Sequence, residues 1–433
     1  MRIVHIITRD DGGGGRAAYR LHSGLRQTAI DSLLYVSSQH HIDDATVVFK
    51  PSTRLDHRLR RVFNHYRLKL KMLGYHPNPG TSDSGGWSLH HICRRGAEPI
   101  AQLPKADLYN LHTIQNFFDF EAFFSTIPAD VPIVWTLHTR EPMTGGCLYA
   151  GACARFEQSC GCCPALNSQR ENDPSREVWK RKKLLLDRFA LGRLHIVSPS
   201  RWLANEASKS SLLGDFPISV IPNSVDNSAY APRDKVMARE ILGLPVDAQI
   251  VFFSSFAHKR KGIDYLLEAL RRMREIPNLF LVMLGEDYRL KPDEPFGFRH
   301  FGSVLNDRLI SVIYSAADVY VITSKEDNLP NVVLESMACG TPVVGFDVGG
   351  IPDMVRPGIT GHLSPFGDVN ALAEALRRVL NDQAHRRELA DNCLAITKKD
   401  YSLQVQAGAY IALYEKLLGS AHGKASKAAS LMK

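Results

Sequence analysis

Short runs of β-branched and apolar residues alternate with helix-length amphipathic segments along this chain, and the alternation runs through twice. Ile3–Ile7 reads as a buried strand, followed by Gly12–Gly15 and a helix beginning near Arg16. Further strands are expected at Ser32–Ser37, Asp107–Leu111, Pro132–Leu137 and Leu194–Val197. The rhythm restarts with a strand at Ile250–Phe253 and a helix at Gly262–Arg272. Strands follow at Leu279–Leu284, Val319–Thr323 and Pro342–Phe346, with a helix over Pro330–Cys339. Such βαβ order makes parallel sheets with helices on both faces, so the expected fold class is α/β. Domains of roughly 100–200 residues are usual. A chain of 433 residues therefore divides into two doubly wound halves better than it fills one sheet. Prolines and polar residues cluster from Ile221 to Pro232, which places the domains at 1–222 and 223–402. A helix over 403–419 is expected to pack back on the first domain, and the tail 420–433 to be disordered.

The most informative stretch is Asp327-Asn-Leu-Pro-Asn-Val-Val-Leu-Glu335, continued by Ser336 to Val344. Pro330 suits a first helical turn and Gly340 the position just past the helix end. The helix then opens from the loop after a strand, at the carboxyl edge where doubly wound sheets bind ligands. The amides of Asn331 and Val332, with the positive end of the helix dipole, form an anion site there. Glu335, about a turn deeper, can accept hydrogen bonds from two adjacent hydroxyls, as on a ribose. Read alone, the stretch is also compatible with a capped helix carrying a solvated acid.

Together with Gly12–Gly15, Ile221–Asp226, Lys261-Gly262 and Gly349-Gly350-Ile351-Pro352, this stretch resembles the E-x7-E signature of retaining family-4 glycosyltransferases. The resemblance is to the bacterial polysaccharide-biosynthesis branch, of the colanic-acid type. It covers nearly the whole chain and implies the GT-B architecture, two facing Rossmann-like domains with the active site in the cleft between them. In that family the first acid approaches the transferred sugar and the second holds the nucleotide ribose. Those roles fall to Asp327 and Glu335. Asp replaces the usual first Glu, and Glu326 is adjacent, so either acid can take the first role. The family's Lys before Gly contacts the donor diphosphate, which matches Lys261. The position of its assisting Arg holds Phe256, leaving Lys259 or Arg260 to supply the second charge. Gly14 and Gly15 match the loop near the donor phosphates. The run is not G-x-G-x-x-G, and no acid closes the second strand, so a dinucleotide site is not expected. His138, after Trp135-Thr136-Leu137, matches a histidine near the transferred sugar, and His112 is a weaker analogue.

Cys147, Cys153, Cys160 and Cys163 follow within an insert at 145–165, spaced C-x5-C-x6-C-x2-C. Four thiolates can close a tetrahedral structural zinc site without leaving a position for catalysis. By the resemblance such an insert clips the loop that carries His138. A reduced cluster without metal is the alternative, and no cofactor is expected for the chemistry. Cys93, Cys339 and Cys393 read as small buried apolar residues.

The formal charge of +8 is concentrated. Between residues 50 and 71 lie Lys50, Arg54, Arg58, Arg60, Arg61, Arg67, Lys69 and Lys71 against Asp56 alone. Leu55, Leu59, Val62, Tyr66, Leu70 and Leu73 recur at helical spacing among them. The segment fits an anionic membrane surface, or equally a helix packed on its own domain with a solvated basic face. Few aromatics interleave with the charges and no reader motif is present, so nucleic acid is not an expected partner. No apolar run reaches a membrane span, and the first apolar stretch is too short for a signal peptide. The expected location is the cytoplasm, with peripheral attachment to the inner face of its membrane through 50–71.

The implied function is a retaining transfer of a hexose from a nucleotide diphosphate sugar to an acceptor hydroxyl. The implied acceptor is a lipid-linked saccharide in exopolysaccharide, capsule or lipopolysaccharide assembly. A sugar-nucleotide epimerase of the same architecture and a non-catalytic, zinc-organised binding scaffold are the alternatives. Epimerisation would proceed on donor alone. A scaffold would keep its partner when Glu335 is replaced.

Overall fold

The computed structural model describes residues 1–75, 87, 95–117, 119–189, 192–255, 259–285, 290–291 and 293–431; for Leu68, Ser255, Lys259 and 421–431 it describes the backbone alone. The chain forms two compact units, Met1–Pro222 with Gln406–Lys433, and Asn223–Val405.

The first unit is built on a seven-stranded sheet of order β3-β2-β1-β4-β5-β6-β7. These strands are β1 (Arg2–Arg9), β2 (Asp31–Ser38), β3 (Thr46–Val48), β4 (Leu108–Leu111), β5 (Ile133–Thr136), β6 (Leu194–Ser198) and β7 (Ile218–Val220). Every pairing is parallel. A strand covered on both faces has no wet side, which is why β1, β4, β5 and β6 read as nearly unbroken apolar runs. The second unit carries a six-stranded sheet of order β10-β9-β8-β11-β12-β13. Its strands are β8 (Gln249–Ser255), β9 (Leu279–Gly285), β10 (Gly297–His300), β11 (Val319–Ile322), β12 (Val343–Phe346) and β13 (Gly361–Ser364), again all parallel. Both units are therefore doubly wound α/β layers.

Three local expectations are corrected. The first helix spans Gly12–Arg26, with Asp11 as its extended N-cap, so the glycines form its first turn and not a loop before it. The turn from β1 is tight: a Cβ on Gly15 would lie 2.6 Å from the carbonyl oxygen of Arg9. Pro330 is the N-cap of the Asn331–Ala338 helix and not its first residue; its ψ of 119° is extended. The tail expected to be disordered continues the last helix, Leu403–Leu431. Its composition is rich in Ala and Lys, residues of high helix propensity, and it extends a helix already nucleated by packing.

That last helix belongs to the first unit from Gln406 onward. Ala407, Tyr410, Leu413 and Tyr414 are buried with Ile3, Leu21, Leu25, Leu108, Val134 and Val197. Two polar ends of this face are satisfied inside the sheet. Tyr410 Oη lies 3.0 Å from Thr136 Oγ1, and Asn110 Nδ2 donates to Tyr414 Oη at 2.8 Å.

The basic segment forms a helix over Leu55–Lys71. Its apolar residues Leu55, Leu59, Val62, Tyr66 and Leu70, and Leu73 just beyond, are 53–78% exposed. Packing of this apolar stripe onto its own domain is therefore not what the structure shows. No helix among the described residues is long and apolar enough to cross a membrane.

Candidate active site

In the second unit the side chains expected to be functional converge at the carboxyl end of β11. A single 3₁₀ turn, Lys259–Lys261, is stitched to the segment after β11: Lys325 donates its backbone N–H to Arg260 O at 2.8 Å, and Thr323 Oγ1 donates to Lys261 O at 3.0 Å. This brings Lys261 Nζ to 2.7 Å and an Arg260 guanidinium nitrogen to 3.2 Å from Asp327 Oδ2. Ser324 Oγ donates to the same oxygen at 3.1 Å. Burial pushes the Asp327 carboxyl up, but Lys261 and Arg260 outweigh it and hold the pKa at about 2. Burial pulls the Lys261 ammonium below its ordinary value, partly offset by Asp327, while Arg260 adds to the lowering. Two cations thus face one carboxylate, an excess of positive charge suited to an arriving anion. Arg260 also donates to the backbone carbonyl of Glu326 at 2.6 Å. Of the two adjacent acids, it is Asp327 whose carboxylate meets Lys261 and Arg260.

The backbone of Asp327 is fixed by the double-glycine motif. Gly350 donates its N–H to Asp327 O at 3.0 Å, and a Cβ on Gly349, which has φ +57°, would lie 2.0 Å from that oxygen. Only glycine allows this approach.

The helix Asn331–Ala338 starts directly beyond, with no side-chain cap at Pro330. The Ile221–Asp226 motif reaches it through Asn223, whose Nδ2 donates to Leu329 O at 3.2 Å and to Asn331 Oδ1 at 3.3 Å. Val332 accepts from Tyr314 Oη at 3.0 Å through its carbonyl. Glu335 is buried at 2% exposure. Burial first, and then the nearby Glu335 charge, push the Tyr314 hydroxyl well above its ordinary pKa. Phe256 and the side chain of Lys259 lie outside the described residues.

The first unit brings its own expected residues together. His138 follows β5 and His112 follows β4 on the neighbouring strand. His112 Nδ1 and His138 Nε2 are 2.9 Å apart. A Cβ on Gly14 would lie 3.2 Å from His138 Cγ, so the glycine run and the histidine are in contact. Sequence reasoning gave no role to His5, in the middle of β1, yet its Nδ1 is 3.1 Å from His112 Nε2. The signal was available: a histidine between Val4 and Ile6 on a fully buried strand must find a polar partner.

Cys147, Cys153, Cys160 and Cys163 line one cavity whose walls include Thr144, Phe156 and Pro164. No three of the four sulfurs approach within 4.8 Å of one another. A hydrogen bond from the Cys147 thiol holds Cys163 down to about 7; Cys147 is pushed well above its usual value, by that bond first and then by burial. Burial raises Cys160 to about 12, although Gly145 donates its N–H to the sulfur at 3.1 Å. Cys339 and Cys393 are buried, as small apolar residues would be, and Cys93 lies outside the described residues.

Set against known proteins, the two sheets define a fold class. Sucrose-phosphate synthase from Thermosynechococcus elongatus superposes with a TM-score of 0.64 at 19% identity, over 97% of this chain and all of that one. Anabaena HepE, solved in complex with UDP and glucose, gives 0.63 at 16% identity, over 96% of this chain and all of its own. The fold is that of GT-B glycosyltransferases. Within the second unit, residues 247–382 match the family model described as Glycosyl transferases group 1. Among curated relatives, D-inositol 3-phosphate glycosyltransferase of Stackebrandtia nassauensis is 31% identical over 228 residues, 47% of this chain and 52% of that protein. MMP alpha-(1->4)-mannosyltransferase of Mycolicibacterium hassiacum is 27% identical over 273 residues, 58% and 64% respectively. The chain thus matches only about half to two thirds of the length of these relatives.

Proposed function

We propose that this protein is a retaining glycosyltransferase that moves a hexose from a nucleotide diphosphate sugar to an acceptor hydroxyl. The observation that carries the reading is the cluster of Lys261 and Arg260 on Asp327, beside a helix that opens at Asn331 with Glu335 buried one turn in. Fixed cations and helix amides are what a departing diphosphate requires, since its charge develops as the sugar bond breaks. In this reading Lys261, Arg260 and the amides of Asn331 and Val332 hold the diphosphate, Glu335 holds the ribose, and Asp327 and His138 attend the transferred sugar. The bond from C1 to the phosphate oxygen breaks as the bond to the acceptor oxygen forms on the same face. The acceptor proton passes to the leaving phosphate oxygen.

The acceptor in this reading is a lipid-linked saccharide, supported by the exposed apolar stripe of the Leu55–Lys71 helix and the basic residues around it. Each basic residue near an anionic bilayer contributes about 1 kcal/mol. The test is incubation with UDP-, GDP- and ADP-hexoses, with and without a polyprenyl-diphosphate saccharide in phosphatidylglycerol vesicles. One donor should be consumed only with acceptor present, with its anomeric configuration kept, and the protein should sediment with the vesicles at low salt. Conversion of donor alone would indicate an epimerase. No turnover at all would leave a binding protein, and absence from the vesicle pellet would remove the membrane.

A structural zinc ion on Cys147, Cys153, Cys160 and Cys163 is part of the same proposal. The thiol set suits zinc, and one cavity is lined by all four cysteines. The Cys147 thiol is pushed up by its hydrogen bond with Cys163 and then by burial, and a bound dication would favour its thiolate instead. Purified protein should hold about one zinc per chain, and stripping it should lower the melting temperature. Fully reactive thiols and no metal in protein purified without chelator would rule this out.

A further inference from the structure

We propose that His5 is a positioning residue that sets, through His112, which nitrogen of His138 carries its proton, so that His138 meets the sugar as an N–H donor and not as a base. This deepens the transfer reading and rests on it for the sugar.

The three rings stand on neighbouring strands, β1, β4 and the end of β5, and form one line. His5 Nδ1 lies 3.1 Å from His112 Nε2, and His112 Nδ1 lies 2.9 Å from His138 Nε2. His5 is fully buried and His112 nearly so. Burial pulls His5 and His112 well below the ordinary histidine range and His138 down to about 4, so all three are neutral near pH 7. A neutral imidazole has one N–H and one bare nitrogen. Two consecutive bonds along three such rings therefore form only if every ring points its proton the same way. Either all three carry it on Nδ1, or all three carry it on Nε2.

The far end of the line distinguishes the two. His5 Nε2 is buried and has no hydrogen-bond partner among the described residues. The other ring beside His5, that of His22, sits edge-on with centroids 6.2 Å apart, and its nitrogens are directed to Ser32 Oγ at 2.8 Å and Asp43 at 3.2 Å. A buried N–H without an acceptor is rarer in proteins than an unfilled acceptor. The arrangement that leaves His5 Nε2 bare is therefore favoured. In it His5 Nδ1–H donates to His112 Nε2, and His112 Nδ1–H donates to His138 Nε2. His138 then carries its own proton on Nδ1. It has no lone pair left to take a proton from the acceptor hydroxyl, which agrees with proton transfer to the leaving phosphate oxygen.

The test reads the tautomer directly. In full-length protein labelled with ¹⁵N-histidine, long-range ¹H–¹⁵N correlation spectra at neutral pH assign the protonated nitrogen of His138, identified by its loss in His138→Gln. The expected result is protonated Nδ1 and bare Nε2. His5→Phe removes the first donor and should shift His138 to Nε2–H or to a mixture. His5→Asn, whose amide N–H can stand in for Nδ1–H, should restore the original pattern. In the transfer assay His5→Phe should lower kcat about 10-fold, the effect of one neutral hydrogen bond, with the donor KM within about twofold. Nε2–H on His138 in the unaltered protein would overturn the proposal, as would an unchanged His138 pattern in a folded His5→Phe. If His5→Phe fails to fold, the unaltered spectrum and that of His5→Asn still decide. If no donor is turned over by any form, the transfer reading fails while the spectra judge His5 independently.

Discussion

Replacing Lys261 with Ala is expected to lower kcat/KM for the nucleotide sugar by about 10²–10³-fold, the usual effect of removing one fixed group from a developing charge. Two hydrogen bonds hold the Lys261 turn on the segment after β11, one from the Lys325 amide and one from the Thr323 hydroxyl. Its ammonium is already desolvated, so contact with a diphosphate requires little further loss of water. In the free protein the same ammonium sits on Asp327. The variant therefore leaves Asp327 with Arg260 as its remaining charged partner, and the fold is checked separately by thermal melting. The two substitutions share a network, so Lys261→Ala and Asp327→Asn should not add; the double variant should lose much less than the product of the single effects. A loss below about fivefold, measured by steady-state kinetics under saturating acceptor, would show that Lys261 does not touch the diphosphate.

The second large effect is on stability. Lys182 Nζ donates to Glu141 O at 2.6 Å and to Thr144 O at 3.1 Å, and it pairs with the Glu141 carboxylate. Both side chains are only 3% exposed. Lys182→Met keeps the side-chain bulk but removes the ammonium that pairs with a buried carboxylate, which costs about 3–5 kcal/mol. That corresponds to a fall in melting temperature of roughly 10 °C. Adding Glu141→Gln should recover part of it, because the buried negative charge is then gone. Glu141 and Thr144 lie between His138 and Cys147 in the chain, so the same ion pair braces the loop that joins the histidine to the cysteine cluster. Calorimetric melting of the single and double variants checks this; a single variant that melts within about 2 °C of the unaltered protein would contradict it.

What the sequence revealed, and what it did not, follows the position of each strand in its sheet. The central strands β1, β4, β5, β6, β8, β9, β11 and β12 were legible because burial on both faces demands continuous apolar runs. The four strands that were missed, β3, β7, β10 and β13, are the edges of the two sheets. They are three or four residues long, and β10, Gly-Phe-Arg-His, is mostly exposed. Such segments carry little periodic signal, and the partner strand holds them in place. The helix at Asn331 was legible from Pro330 and Gly340, with its start displaced by one residue. The tail is helical where its terminal position predicts disorder, because helix propensity and a packed preceding segment extend the helix.

At the candidate site, the pairing of Lys261 and Asp327 was not legible from spacing, since the two lie 66 positions apart. Parallel crossover connections bring them to the same sheet edge, and no local pattern encodes that distance. The contact between Gly14 and His138 has the same origin. Asn223 drew attention only as part of a motif; its side-chain amide in fact spans Leu329 and Asn331 and fixes the entry to the helix. His5 escaped because a single polar residue in an apolar strand looks like noise until its neighbours across the sheet are known.

The central claim is that the helix opening at Asn331 and the carboxylate of Glu335 together bind a nucleotide diphosphate. Titration calorimetry of the full chain with UDP-, GDP- and ADP-hexoses, repeated on Glu335→Ala, tests it most directly. One of the three should saturate a single site, and the substitution should weaken it about 10–100-fold, the loss of hydrogen bonds to a charged acceptor. Binding of none of them, or equal affinity in a folded Glu335→Ala, would contradict the account.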